Sequence, residues 1–416
     1  MKKLAKTGIN IEDKGGIILR DIVHLNNERE PKKRKNKKKL IIVISLGVIL
    51  AIVLITMLVY YSSRDARNFL DTYLFRKNVT QEKLNSIDLD YDSNTSVFAY
   101  NKYICILAEN KLMEYNTSGN LENEISLEIN NPVYSVNNRY IAISEKNGNT
   151  LNLISGSEIL WTSQVDGKIS KINVNNNGYV SVIVTGTTNK SVIVTFDNKG
   201  NELFKTYLSK TIAVDTSISN DNKYLAFAEV NTTGTTIQSY VKVVEIEKTK
   251  QNASESIINT YVADNNKLIL NIKYSDNNKI VCQYDNEITL LENETNTLLL
   301  NLNEDGKNIN FANINLDGYA YRAVEENDGL FNTNTVLEMR NVNSDRTTVY
   351  TVEGTAKYIY SFNNIVAVNL GQAIEFFNTS GWLLKNYSST QEVQNVVIGN
   401  GIAGIIYQDR VEVLNL

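Results

Sequence analysis

A short phrase repeats along this chain and constrains its fold more than any other feature. It is Asn or Asp, then any residue, then Tyr or Ile opening an apolar strand. It reads NKYICIL from Asn101, NRYIAIS from Asn138, NGYVSVI from Asn177 and NKYLAFA from Asn222. It continues as NKIVCQY from Asn278, DGYAYRA from Asp317, NNIVAVN from Asn363 and NGIAGII from Asn400. The spacings are 37, 39, 45, 56, 39, 46 and 37 residues. A period near 40 built from short strands and Asn/Gly turns is the pattern of a β-propeller, with four strands in each blade.

The third repeat shows the order of strands most clearly. ISKINVNN reads as the innermost strand, followed by GYVSVIVTGT and SVIVTFD. The turn Asn198-Lys199-Gly200-Asn201 then leads into ELFKTYL as the outer strand. Asn-Gly and Asp-Gly at 177, 317 and 400 supply the positive φ that a tight hairpin needs. The long interval after Asn222 is absorbed by a polar insertion around Lys248 to Glu255. The eighth repeat has three strands, VQNVVIGN, GIAGIIYQD and RVEVLNL, before the sequence ends. One spare strand, Ser86 to Asp90, precedes the first repeat. Three strands plus one complete a blade, close the ring and remove its open sheet edge. The expectation is therefore an all-β fold, an eight-bladed β-propeller over residues 86–416, with seven blades as the alternative if one weak repeat is misread.

Ahead of the repeats lies LIIVISLGVILAIVLITMLVY, uncharged over residues 40–60. At the helical rise it reaches about 31 Å, the thickness of a bilayer core. It begins too far from the N-terminus for a cleaved signal peptide, and no small-residue cleavage site follows it. PKKRKNKKK (residues 31–39) abuts it on one side, against a much weaker basic cluster on the other. That asymmetry predicts a single-pass protein in the cell membrane, its N-terminus cytoplasmic and its C-terminal domain extracellular. Membrane lipid would be contacted by residues 40–61 and by the basic cluster 32–39. The same cluster resembles a nuclear import signal, but its place beside the span favours the topological reading. The predicted organisation is a basic tail over 1–39, a transmembrane helix over 40–61, a helical stalk or linker over 62–85 and the propeller. The stalk helix is expected over Ser63 to Val79, with Phe69, Leu70, Tyr73 and Leu74 on one side. In the tail, GGIILRDIVHL (residues 15–25) is either a docking peptide or part of a collapsed segment.

Residues 1–39 hold 13 Lys/Arg against 5 Asp/Glu, whereas the rest holds 29 against 41. A body of net charge −12 is a poor partner for nucleic acid. The single histidine, His24, precedes the span, so no His-based metal site, Ser-His-Asp triad or Cys-His dyad is available beyond it. Cys105 and Cys282 stand four residues after a repeat-opening Asn. The other repeats place Ala142, Ser181, Ala226, Tyr321, Ala367 and Gly404 there, where only Tyr321 is large. The cysteines thus read as small packing residues, and their blades lie opposite each other, too far apart for a disulfide. Asp88, Asp90 and Asp92 begin like a calcium loop, but Ser93 and Ala99 stand where such a loop needs Gly and Glu. Asn303-Glu304-Asp305-Gly306 is a turn rather than a cation site. Paired carboxylates across the channel cannot be matched from sequence, and neither a Walker loop nor a dinucleotide fingerprint is present. No catalytic, cofactor-binding or metal-binding residue is nominated, and no cofactor is expected.

The Gly turn before an outer-strand aromatic resembles the pyrroloquinoline-quinone-type propeller repeat, also loosely WD40-like. FDNKGNELF places Phe204 four residues after Gly200. SGSEILW spaces Trp161 five after Gly156, and SGWLLKNY lacks the aromatic at that position. The layout of basic tail, span and ARNFLDTYLFRKNVT before the first strand is similar to a Firmicutes family of membrane-anchored propellers, domain-of-unknown-function family 5711. That resemblance implies topology and no chemistry. Few Cys and Pro with many Asn, Lys, Ile and Tyr fit an AT-rich bacterium.

Taken together, these features predict a non-catalytic scaffold at the cell envelope that binds protein or glycan. The alternatives are a sensor relaying ectodomain binding through the span, and an extracellular hydrolase or lyase using channel carboxylates.

Overall fold

The computed structural model describes residues 37–62, 66, 70–75, 77–80, 84–89, 95–137, 139–252, 255–276, 279–329 and 332–416. They fall into two compact units, divided after Asn68.

The first unit contains helix α1, Lys37–Ser62. Its segment Ile41–Tyr61 is 21 residues long with a mean hydropathy of 3.1, long and apolar enough to cross a membrane. The two hydroxyls within it are engaged by the helix itself. Ser45 Oγ donates to the Ile42 carbonyl at 2.9 Å, and Thr56 Oγ1 to that of Ile52 at 2.9 Å. A hydroxyl satisfied in this way by its own helix costs less to place in apolar surroundings.

The second unit is the propeller. Eight sheets follow one another as blades, spanning residues 96–126, 132–164, 168–208, 212–262, 269–301, 308–353, 358–388 and, for the eighth, 395–415 joined by Asn85–Asp88. Each blade is an antiparallel four-stranded sheet, apart from the one parallel strand added to blade 7. The two middle strands of a blade are covered on both faces by neighbouring blades. They therefore read as unbroken β-branched and apolar runs rather than as alternating ones. In blade 3, Val180–Thr185 and Ser191–Phe196 are buried along almost their whole length, while the outer strand Glu202–Leu208 is largely half-exposed.

There is no single central core. The buried apolar residues form eight clusters, one at each interface between consecutive blades. Leu153 of blade 2 shares a cluster with Ile172 and Val182 of blade 3, for example, and Ile104 of blade 1 shares one with Ile402 and Val411 of blade 8. The repeat-opening Asn marks the hairpin from the inner strand to the second. The left-handed residue is the Asn itself at Asn101, Asn222 and Asn363, with φ of 52°, 61° and 50°. In blades 3, 6 and 8 it is the next residue, Gly178, Gly318 or Gly401. Asn138 and Asn278 lie outside the described residues.

Ring closure follows the sequence expectation, with the closing strand at Asn85–Asp88. Ile87 pairs with Val411 and Asn85 with Val413, antiparallel. The helix expected over Ser63 to Val79 is corrected. Its described part contains a π-helical turn at Leu70–Leu74 and then strand β1, Asn78–Thr80. β1 adds to blade 7 as a fifth strand, parallel to Leu383–Ser388, and Val79 packs into the cluster between blades 7 and 8. The open edge of blade 7 offers backbone hydrogen bonds that a helix end would have to seek from water, and Val79-Thr80 favours the extended form. Asp71 is buried beside the turn and paired with Lys77 at 3.1 Å. The start of the polar insertion expected around Lys248 to Glu255 overlaps a one-turn helix, Ile246–Thr249.

Candidate functional site

The inner strands surround the central channel, and those of blades 2 to 5 are sewn to one another by side chains. Ser135 Oγ accepts from the Val174 amide at 3.2 Å, and Asn137 donates to the Val174 carbonyl at 3.1 Å. Asn173 donates to Asp215 Oδ1 at 2.9 Å. Asp215 Oδ2 accepts from the Ile272 amide at 2.9 Å, and Ser217 Oγ from that of Tyr274 at 3.0 Å.

A repeated irregularity places the polar residues. The inner strand of each of blades 3 to 6 carries a β-bulge, ending at Lys171, Asp215, Asn271 and Phe311. A bulge inserts one residue and re-aims the side chain that follows it. Lys171, Asp215 and Asn271 consequently meet in the channel from three successive blades. Lys171 Nζ is 2.8 Å from Asp215 Oδ1 and 3.4 Å from Asn271 Oδ1. Asp215 is only 4% exposed, and its carboxylate bridges blades 3, 4 and 5.

This cluster lines a cavity of about 590 Å³ that reaches to where inner strands turn into second strands. Among the described residues, four charged ones line it, Lys171, Asp215, Lys273 and Asp317, and they form two pairs. Lys273 Nζ stands 3.1 Å from Asp317 Oδ1 and 2.7 Å from the Asn315 carbonyl. The remaining polar lining is amide and hydroxyl. A second hollow of about 410 Å³ continues it towards blades 7, 8 and 1, sharing Tyr134, Val136, Asn315, Ser361 and Phe362. That side is apolar and aromatic, with Phe98, Tyr360 and the aliphatic run Val396 to Ile398. Tyr134 rests on Phe98, ring centroids 4.5 Å apart and 29° between planes. The mouth is thus polar on one side and aromatic on the other.

Residues singled out in the sequence lie elsewhere. Cys105 and Cys282 are free and fully buried, in the clusters between blades 1 and 2 and between blades 4 and 5. Burial pushes both thiols well above their ordinary range. Of the Asp triplet, Asp88 ends the closing strand, and Asp90 and Asp92 are outside the described residues. Glu304 is held below the usual carboxyl range by hydrogen bonds from Arg322, at 2.8 Å, and from Lys307. Among the described residues no group of three or more His, Cys, Asp or Glu is placed to hold a metal ion.

Sequence reasoning missed one set of residues entirely. Glu338, Glu375 and Glu412 fall on the third strands of blades 6, 7 and 8, spaced 37 residues apart. Glu375 Oε2 accepts from Tyr350 of the preceding blade at 3.1 Å, and Glu412 Oε2 from Tyr387 at 2.5 Å. Tyr350 and Tyr387 share the same 37-residue offset. The repeat interval was therefore visible in these pairs as well as in the Asn turns.

Solved structures of similar shape include BamB from Moraxella catarrhalis, at 9% identity and TM-score 0.45, covering 80% of this chain and 98% of that one. Sqt1 from Chaetomium thermophilum, solved bound to the N-terminus of ribosomal protein L10, gives 12% and 0.49, covering 80% and 100%. The dihydro-heme d1 dehydrogenase NirN gives 9% and 0.47, covering 81% and 74%. At these values the likenesses carry nothing about activity. No curated protein matches the chain. Residues 75–416 match a family pattern along the whole propeller, from the strand that edges blade 7 to the last strand of blade 8, and the chain belongs to that family, the family of unknown function DUF5711.

Proposed function

We propose that this chain is a non-catalytic binding scaffold of a bacterial cell envelope. It is held in the membrane by Ile41–Tyr61, with residues 1–39 inside and the propeller outside. One observation carries the binding part of this reading. The four charged residues that line the channel mouth among the described residues are paired with one another, and the Lys171–Asp215 pair also ties blades 3 to 5 together. The mouth is a rigid, polar, electrically balanced surface, suited to recognition rather than to proton transfer, which needs a group left poised to exchange its proton. The topology rests on the apolar length of the helix and on the basic cluster at 32–39.

In-membrane crosslinking with mass spectrometry tests it, with probes placed in the propeller and, separately, in residues 1–39. A stoichiometric envelope component captured by the propeller is the expected result. A defined partner on the tail with nothing on the propeller would replace the scaffold with a sensor. Protease added outside intact cells should remove the propeller and spare the tail, and the opposite pattern would invert the topology.

A further inference from the structure

The geometry points to an uncharged polyhydroxylated ligand, a neutral oligosaccharide, as the occupant of the channel mouth. This deepens the scaffold reading and rests on it. The argument begins with charge. The pairing of Lys171 with Asp215 and of Lys273 with Asp317 means that the charges of these four residues cancel. A phosphate, carboxylate or amine ligand would be left without a counter-charge, and anions also face a body of net negative charge.

Size and shape come next. About 590 Å³ is the volume of a site for a small ligand, and the adjoining hollow lengthens it towards the aromatic side. A pyranose has the same two-sided character as this mouth. Its ring edge bears hydroxyls that both donate and accept, and its faces present C–H groups that lie against aromatic rings. Tyr134 lines both hollows and is 38% exposed, with Phe98 supporting its other face.

Unmet hydrogen bonding opposes that ring. Ser275 is among the residues lining the cavity, and its Oγ, buried just behind the wall, has no partner in the protein. A buried polar atom left unsatisfied is costly, and a rotation of the Ser275 side chain towards the cavity would let a guest hydroxyl satisfy it. The exposed side chain of Asn315 lines both hollows, while its backbone is fixed by the Asn313 side chain at 2.6 Å and by Lys273. An amide so held can donate to one sugar hydroxyl and accept from its neighbour. Hydroxyl, amide and ring stand on three different blades of a closed ring, so the site is built before the ligand arrives.

The test is isothermal titration of the full chain in lipid nanodiscs with maltotriose, cellotriose, mannotriose and triacetylchitotriose. At least one is expected to bind. Tyr134→Ala should weaken that binding by about tenfold, and Asn315→Ala by several-fold. Thermal melts of both variants should match the parent, which separates a lost contact from a lost fold. If none of the four binds at about 10 mM to chain that melts normally, the inference fails. Equal affinity in the parent and both variants overturns it too, because the sugar then sits elsewhere. A propeller-captured protein partner with no sugar bound would sink the sugar site and keep the scaffold. Sugar binding with no captured envelope component would do the reverse.

Discussion

Glu114 shows how one side chain sets a pH dependence for the whole domain. It is fully buried on the third strand of blade 1, with Oε2 accepting from Asn123 at 2.8 Å and Oε1 without a partner. Burial raises its pKa above the ordinary 4.5, and the nearby Glu122 carboxylate adds to the rise. The sign follows from linkage. The folded state keeps the proton to higher pH than the unfolded state, so stability falls as pH climbs from 4.5 through the raised value. Glu114→Gln should remove that slope, melting near the parent at about pH 4 and above it at about pH 8, by roughly 1 kcal/mol. An unchanged gap across that range would mean that Glu114 is not the source. The two thiols make a simpler case at the same scale. Their burial and raised pKa values predict that iodoacetamide labels neither Cys105 nor Cys282 until the chain is denatured. The packing role of these cysteines was legible in the sequence because equivalent positions in other blades hold Ala and Ser. The burial of Glu114 was not, since a lone carboxylate in a strand is written identically whether it faces water or a neighbouring blade.

Among the elements, the third and fourth strands of blades 6 to 8 form a ladder in which a Tyr of one blade donates to a Glu of the next. Tyr387 is fully buried, and its hydroxyl also lies 2.5 Å from that of Tyr407, while Glu412 accepts from Arg410 at 2.9 Å. Tyr387→Phe leaves Glu412 and Tyr407 short of a partner inside the interface. It should cost about 1–3 kcal/mol, and a double-mutant cycle with Glu412→Gln should show coupling of at least about 0.5 kcal/mol. Additive losses would mean that the two do not act through each other. The strands themselves were readable from their β-branched runs and Asn turns. The bulges were not, because an inserted residue breaks the alternation by which facing is inferred, and this hid the convergence of Lys171, Asp215 and Asn271. Strand β1 was hidden for another reason. Its residues are compatible with a helical period, and only the edge of blade 7, more than 300 residues away, makes the extended form the better one.

For the molecule as a whole, the decisive property is that stability resides in eight interfaces joined in a circle. Removing one strand opens two of them. Deleting residues 410–416 removes the partner of both Ile402–Ile406 and Asn85–Asp88. The shortened chain should lose its single cooperative melt and show early hydrogen exchange in blades 1, 7 and 8. A sharp melt within a few degrees of the parent would show that the ring does not need its closing blade. The eight blades and their closure were predictable because both ends of the repeat array are incomplete in complementary ways. The chemistry of the channel mouth was not, since it arises from residues as distant in sequence as Tyr134 and Asn315.

The chain reaches this ring from its N-terminal side through β1, and that order has a mechanical consequence. Were the propeller tethered as proposed, tension from its N-terminal side would meet the three-residue pairing of Asn78–Thr80 with blade 7 before it could load Asn85–Asp88. The first pairing is short and peripheral, whereas the second holds the circle shut. If β1 peels away, residues 78–84 become slack, extending the tether by about 20 Å at full stretch. On the proposed anchoring, a pull would thus be absorbed as added reach before it became damage, as a fuse protects the circuit behind it.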